Sequence, residues 1–353
     1  GVVLNGIPQG LLALSYGFAS VPTALGFAIG AVSCGVLSSV APISFQAETI
    51  VLAGTMGKNM RERLSMVFFA GVTMAALGAC GLLTAIVNFA GETVLNAMMA
   101  GVGFVLVRTA FNMVKENQLV GWVSVASAVV IYLITKALDP GNALVYTIVG
   151  SLIISSVAAK LAGQKLGENT VAERMCRLKL EKPVVNLSVI RGALSLACLT
   201  IGANIAFGNI TSGMGAGELN VDHLTVYSGL ADAVSSLFGG GPVEAIISAT
   251  GAAPHAVLSG VIMMAVMALI LFFGLLPKIG KFVPSQSIAG FLFILGAFVT
   301  IPGDGAASFA TGAAGGSVIA AVTMSVTAVF DPFFGMLAGI VLKMIIGATG
   351  LAL

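Results

Sequence analysis

The chain has 353 residues, 58% of them hydrophobic and only 8% charged, with a formal net charge of +2. Ordinary soluble domains are about one-quarter charged, so a mean hydropathy of +1.07 excludes one. It also excludes a disordered chain, which needs much charge and little apolar sequence, and the near-neutral balance leaves no footprint for nucleic acid.

What remains is an integral membrane protein, whose backbone must satisfy itself inside lipid as helices or as a closed barrel. A barrel alternates polar and apolar residues over roughly ten-residue segments. This chain has continuous apolar runs instead, such as Val257 to Leu276, so it is read as helical. Its 45 glycines suit close helix packing in lipid.

Cutting the sequence at its charged, Pro and Gly-rich breaks gives about fourteen segments by the twenty-residue spanning rule. Two are cramped into Gly1 to Val40, divided near Pro22, and a third begins near Pro42. Others run Leu64 to Phe89, Thr93 to Val114, Val120 to Ala137 and Leu144 to Ala162. A polar linker at 163–183 then separates a first repeat, 1–162, from a second, 184–353. Gly1 opens directly into apolar sequence, without the pattern of a cleavable signal.

Three pairs of short motifs relate the halves. TKALDP at 135 matches TAVFDP at 327, AGVGFVL at 100 matches AGFLFIL at 289, and ETIVLA at 48 matches EAIISA at 244. The offsets, 192, 189 and 196 residues, keep one order and nearly one spacing. Seven segments per half is an odd number, so the halves have opposite orientation. Inverted repeats of this kind mark secondary transporters.

Loop charge agrees with the count. Lys58, Arg61, Arg63, Lys115, Lys160, Lys165, Arg174, Arg177, Lys179, Lys182, Lys278 and Lys281 fall on one face. Glu92, Glu218, Asp222, Asp304 and Asp331 fall on the other, with Lys136 an exception. The positive-inside rule makes the basic face cytoplasmic and puts both termini outside.

The segment with most chemistry is SSLFGGGPVEAIISATG, Ser235 to Gly251. A helix is hard to maintain through Gly239, Gly240, Gly241 and Pro242. Irregular backbone at membrane depth lines a cavity or is buried in protein. The first-half counterpart is SSVAPISFQAETIVLA, Ser38 to Ala53, with Pro42 and Glu48. Two interrupted segments at matching places point to a substrate site, with helix N-termini aimed into it.

Glu244 and Glu48 are each read either as functional intramembrane carboxylates or as caps on half-helices. Gln46 either bonds a substrate edge or bridges helices. Asp232 is either a coupling carboxylate or the structural partner of Arg108 or Arg191. Arg108 and Arg191 near helix ends suit snorkelling, and His255 falls in a loop. Cys34, Cys80, Cys176 and Cys198 form no C-x-x-C pair, and His223 and His255 stand alone. No disulfide framework, metal site or cofactor is expected.

SGLADAVSSLFGGGPVEAIISATG at Ser228 to Gly251 resembles the helix-nine to helix-ten region of nucleobase–cation symporters, nearest the adenine/guanine/hypoxanthine permeases. GANIAFGNIT at Gly202, NAMMAGVGFVLV at Asn96 and SVAPISFQAE at Ser39 resemble the family's eighth, fifth and third helices. The resemblance implies an all-α membrane fold of fourteen helices in two inverted seven-helix repeats. Helices one to four and eight to eleven would form a core, and helices five to seven and twelve to fourteen a gate. Short strands would interrupt helices three and ten beside the substrate. It also implies cytoplasmic termini, opposite to the loop-charge reading. The family's acidic positions on helices eight and ten fall here at Ala203, beside Asn204, and at Ile247 or Ser248.

The chain is therefore read as a transporter and not an enzyme, in a plasma membrane of the bacterial inner-membrane kind. It would move a purine-like or other small polar solute with a coupling proton or sodium ion, with a homodimer as a candidate assembly. Glu244, Gln46, Glu48, Asn204 and Ser248 would bind substrate, and Glu244, Glu48 and Asp232 are candidates for coupling. The alternatives are an anion carrier of sulfate-transporter-like architecture, since helix N-termini suit anions, and a membrane subunit of a larger complex.

Overall fold

The structure is a computed structural model and describes residues 2–163, 178–215, 219–312 and 315–349. Most of the expected linker, with Lys165, Arg174, Cys176 and Arg177, and also Glu218, lie outside the described residues.

The first half begins with a π-helical turn, Val2–Gly6, leading into α1 (Ile7–Ser15). It continues with α2 (Ser20–Val36), β1 (Ile43–Ser44), α3 (Ala47–Met56), α4 (Met60–Ala79), α5 (Leu83–Ala90), α6 (Glu92–Glu116), α7 (Gln118–Leu138) and α8 (Ala143–Leu161). The second half has α9 (Leu187–Gly213), α10 (Val221–Leu237), β2 (Glu244–Ala245), a 3-10 turn at Ala249–Ala252, and α11 (Ala256–Phe272). It ends with α12 (Leu275–Gly280), α13 (Ala289–Ile294), α14 (Ile301–Phe309), α15 (Gly316–Val329) and α16 (Pro332–Thr349). A π-helical turn, Leu295–Thr300, joins α13 to α14, and Ser285–Phe309 forms one apolar span.

Among the described residues, seven helices are long and apolar enough to cross a membrane. The remaining crossings use shorter apolar helices and the two broken segments, which gives seven per half. Asn side chains set several helix starts. Asn59, Asn117, Asn186 and Asn220 accept from the backbone N–H of Glu62, Val120, Val189 and His223, satisfying donors that a first helical turn leaves free.

One expected segment, Leu64 to Phe89, is two helices. The chain turns after Ala79 through Gly81 (φ 68°), runs as the short α5, and turns again at Gly91 (φ 85°). Left-handed backbone favours glycine at both places.

The helices sort into two groups by packing. In the core group α4 packs on α9 and α10, and α2 on α10 and α11. In the gate group α6 packs on α14 and α15, α7 on α8, and α13 on α6 and α7. α4 and α10 approach closely through a pair of glycines. A Cβ on Gly229 would lie 2.5 Å from the Gly71 carbonyl oxygen, and one on Gly71 would lie 2.6 Å from that of Gly229.

The ends of the bundle follow from long-range hydrogen bonds. Arg63 donates to Tyr16 O, Arg61 to Lys182 O, Asn186 to Glu62, and Glu181 N–H to Leu237 O. These gather the basic loops at one end. At the other end Asp222 accepts from Leu83 N–H, and Lys343 donates to Phe89 O and Ala90 O.

Two acidic residues depart from the expected opposite face. Asp331, at the start of α16, pairs with Arg191 at 2.6 Å, because α15 returns the chain toward the basic end. Asp304 lies within α14 and lines a cavity.

Candidate substrate site

The two broken segments meet at the centre. β1 and β2 pair antiparallel, Ile43 opposite Ala245 and Ser44 opposite Glu244. Neither segment could bury its backbone alone, so other elements supply the missing partners. Ala19 N–H donates to Gly239 O, and Gly241 N–H to Thr23 Oγ1. Ser235 Oγ donates to Gly241 O. Gly239 has φ 97°, which lets the chain leave α10 sharply. Before β1, the Tyr227 hydroxyl bonds Ser39 Oγ and Ala41 O. After β2, Thr211 Oγ1 donates to Ile246 O and accepts from Ser248 N–H, while Asn5 donates to Ile247 O.

Glu244 sits on β2 and is 1% exposed. Its Oε1 accepts from Thr200 Oγ1 at 2.6 Å and its Oε2 from Thr49 Oγ1 at 2.8 Å. Asp232, on α10, is also buried, and its Oδ1 accepts from Val243 N–H at 2.6 Å. The Asp232 and Glu244 carboxyl groups are neighbours in this buried site. Proton counting is tight here. Thr49 Oγ1 lies 2.8 Å from Gln46 Oε1 as well, and Thr200 Oγ1 lies 2.9 Å from Leu196 O. Each hydroxyl has one proton, so each serves one of its two acceptors.

Below this crossing, a cavity of about 320 Å³ lies between core and gate. Asn5 and Gln9 of the first segment line it, with Gln46 and Glu48 at the start of α3. Leu144 and Ile148 of α8, Phe207 of α9, Ile246, Phe291, and Thr300 and Asp304 near the start of α14 complete most of the wall. Leu144 opens α8 and Asp304 lies in the later part of its span, so the cavity faces the end away from the basic loops.

The sequence-predicted residues separate into three places. Gln46 and Glu48 line the cavity. Glu244 and Asp232 lie behind it, in the hydroxyl network. Asn204 faces α10, donating to Thr225 and Ser228, and Ser248 caps the 3-10 turn by accepting from Thr250 N–H. Arg191 pairs with Asp331, not with Asp232. His255 precedes α11, outside any helix.

Asn5, Gln9, Thr49, Thr200 and Asp304 were not singled out from sequence. Asn5 and Gln9 carried a usable signal: two amides four residues apart share one helix face in an otherwise apolar run. Among the described residues no cluster of three or more metal-ligating side chains occurs.

No family model and no curated protein matches the sequence. Solved structures match in fold over nearly the whole chain. The transmembrane domain of a cyanobacterium bicarbonate transporter, BicA, has a TM-score of 0.63 at 16% identity, covering 94% of this chain and 96% of that one. The murine solute carrier 26 family member A9 anion transporter, in its inward-facing state, has a TM-score of 0.63 at 14% identity, covering 98% and 68%. A further structure of SLC26A9 has a TM-score of 0.64 at 13% identity, covering 99% and 66%.

The protein is thus a multi-pass membrane protein with an inverted-repeat transporter fold. At these identities the likeness is one of fold. It corrects the resemblance to nucleobase–cation symporters, because the solved structures named above are anion transporters. Short glycine-rich and apolar motifs answer to the needs of broken helices in lipid, and so did not separate the families.

Proposed function

We propose that the protein is a secondary transporter that carries a small anion through the cavity between core and gate. One observation carries this reading. Gln46 lines the cavity, its side chain is 2% exposed, and its Nε2 has no hydrogen-bond partner among the described residues. An unpaired buried donor is unfavourable, and an acceptor oxygen on a solute would satisfy it. Gln46 is also the N-cap of α3, so the positive end of that helix opens onto the same place, as anion binding favours. The anion transporters that share the fold support the same reading.

Gln46 and Glu48 then face the solute, and Glu244 with Asp232 forms the coupling group behind the strands. Asn204 and Ser248 support it by fixing α10 and the turn after β2. Flux of labelled sulfate, bicarbonate and carboxylates into proteoliposomes tests the proposal. Uptake above that of empty liposomes is expected for at least one anion class. Uptake of neutral solutes alone would overturn it.

A further inference from the structure

Thr49 stands between the cavity and the buried acids, and its role deepens the anion-carrier reading, on which this step rests. Its Oγ1 lies 2.8 Å from Gln46 Oε1 and 2.8 Å from Glu244 Oε2. All three side chains are buried, so an unmade bond among them is unfavourable. Gln46 lines the cavity, whereas Thr49 and Glu244 lie behind it.

The Thr49 hydroxyl has one proton for these two acceptors. An ionised Glu244 only accepts, and a bond to a carboxylate is stronger than one to an amide oxygen. Thr49 then donates to Glu244, and Gln46 Oε1 faces an oxygen whose proton is already used. A half-turn of the Gln46 amide relieves this, because its two ends are nearly the same in shape. Nε2 then donates to Thr49 Oγ1, and Oε1 is the end left over. A protonated Glu244 reverses the order. Its O–H donates to Thr49 Oγ1, the Thr49 proton turns to Gln46 Oε1, and Nε2 is left over. The structure holds this second arrangement of the amide, with Oε1 on Thr49 and Nε2 without a partner. A proton on the other oxygen of Glu244 would turn Thr200 to Leu196 O. That carbonyl already has its helical N–H, so this placement leaves Gln46 Oε1 unserved.

We infer that Thr49 is a positioning residue through which a proton on Glu244 sets which end of the Gln46 amide is left for a solute. With the proton, an N–H is left, from which an anion accepts. Without it, a carbonyl oxygen is left, which disfavours an anion. Proton and anion are therefore taken up together. The titratable groups that face Glu244 are Asp232 from α10 and Glu48 from α3, both acids. α9 and β1 present Thr200 and Ser44 to it, and neither titrates.

The test is nuclear magnetic resonance of the full chain in detergent, free of solute, with nitrogen-15 in the glutamine side chains. The chain has five glutamines, and Gln46→Leu identifies the Gln46 signal by its loss. Over the pH range in which the protein stays folded, the Gln46 signal should shift in one step as the amide exchanges its bonded and unbonded ends. The step should be lost in Thr49→Val and restored in Thr49→Ser, which keeps the hydroxyl. It should also be lost in Glu244→Gln, whose added amide shows as an extra signal. Thr200→Val removes the other hydroxyl on the same carboxyl and should keep the step, which a merely structural effect of losing a buried hydroxyl would not. Should Thr49→Val fail to fold, Thr49→Ala takes its place, and the unaltered protein still decides. A Gln46 signal that does not follow pH in the unaltered protein would overturn the inference. So would one that follows pH unchanged in Thr49→Val or Glu244→Gln. If Gln46 follows Glu244 but no sulfate, bicarbonate or carboxylate crosses in proteoliposomes, the anion-carrier reading fails and the Thr49 switch stands. If one of them crosses while Gln46 ignores Glu244, this inference alone fails.

Discussion

Arg191 Nε lies 2.6 Å from Asp331 Oδ2 and joins the start of α9, in the core, to the start of α16, in the gate. The two ends of this pair differ. The Asp331 side chain is 0% exposed and that of Arg191 is 42%. The other oxygen of Asp331 accepts from Phe334 N–H, capping α16, and the guanidinium also lies over the Phe334 ring at 5.0 Å. Removing the arginine strands a buried carboxylate, while removing the carboxylate leaves a cation that reaches water. Arg191→Met should therefore destabilise more than Asp331→Asn, by about 1–3 kcal/mol once solvent screening of the half-exposed arginine is allowed for. Melting of the two single variants and the double variant checks this. Equal losses in the two single variants would contradict the asymmetry.

The pair also lies toward the basic end, whereas the cavity opens toward the other. Core and gate are thus tied where the cavity is closed. In a flux assay Arg191→Met should change the rate of transport more than the affinity for solute, since neither residue touches the cavity.

Glu244 gives a cleaner separation of folding from function. An amide at this position has an oxygen that accepts and an N–H that donates, the same set as a protonated carboxyl. Glu244→Gln should keep one threonine bond as it is and reverse the other, the amide donating to that hydroxyl, which turns its proton to its second acceptor; the variant should fold normally yet lose the titratable proton. The expected result is an unchanged melting midpoint with anion flux reduced at least about tenfold, the order expected when a coupling group in the membrane is removed. Thr200→Val takes away one hydroxyl and should destabilise by about 1–2 kcal/mol with flux partly kept. A glutamine variant with full flux would remove Glu244 from the mechanism.

Glycines at the break and in the helices act for different reasons, and alanine distinguishes them. Gly239 has φ 97° and open space around its Cα, so Gly239→Ala adds only backbone strain, about 1–2 kcal/mol. Gly229 has ordinary helical backbone, but a Cβ there would meet the Gly71 oxygen and Ala75 N at 2.5 and 2.6 Å. Gly229→Ala must push α4 and α10 apart and should lower the melting midpoint more than Gly239→Ala. Urea or thermal melts of both variants rank them directly.

How far the sequence carried is visible in these residues. The broken segments were legible, because Gly239 to Pro242 and Pro42 cannot continue a helix and each is followed by an acid. The antiparallel pairing of Ser44 with Glu244 follows from two such breaks in inverted halves. The cavity was half legible. Gln46 and Glu48 adjoin a break, but Asp304 sits in a gate helix with nothing local to mark it, and its distance from Glu48 in sequence hides their shared wall. The partner of Arg191 was not legible either, since 140 residues separate it from Asp331 and several acids were equally eligible. Family assignment failed for a related reason: the motifs that encode the break are demanded by backbone satisfaction in lipid, not by the solute.

Lys343 shows how a charge in the last helix is used without any acid. Its Nζ donates to Phe89 O at 2.9 Å and Ala90 O at 3.2 Å, the free carbonyls at the end of α5. A cation there also meets the negative end of the helix dipole, an effect of about 0.3–1 kcal/mol at a partly exposed site. Because α5 is only eight residues long, it has little stability of its own and depends on this anchor. Lys343→Met should leave global melting nearly unchanged but speed amide hydrogen exchange across 83–90 relative to α4 and α6. Lys343→Arg should retain protection, because the guanidinium also donates to carbonyls. Equal exchange in the methionine variant and the unaltered protein would show that packing against α10 and α16 alone holds α5.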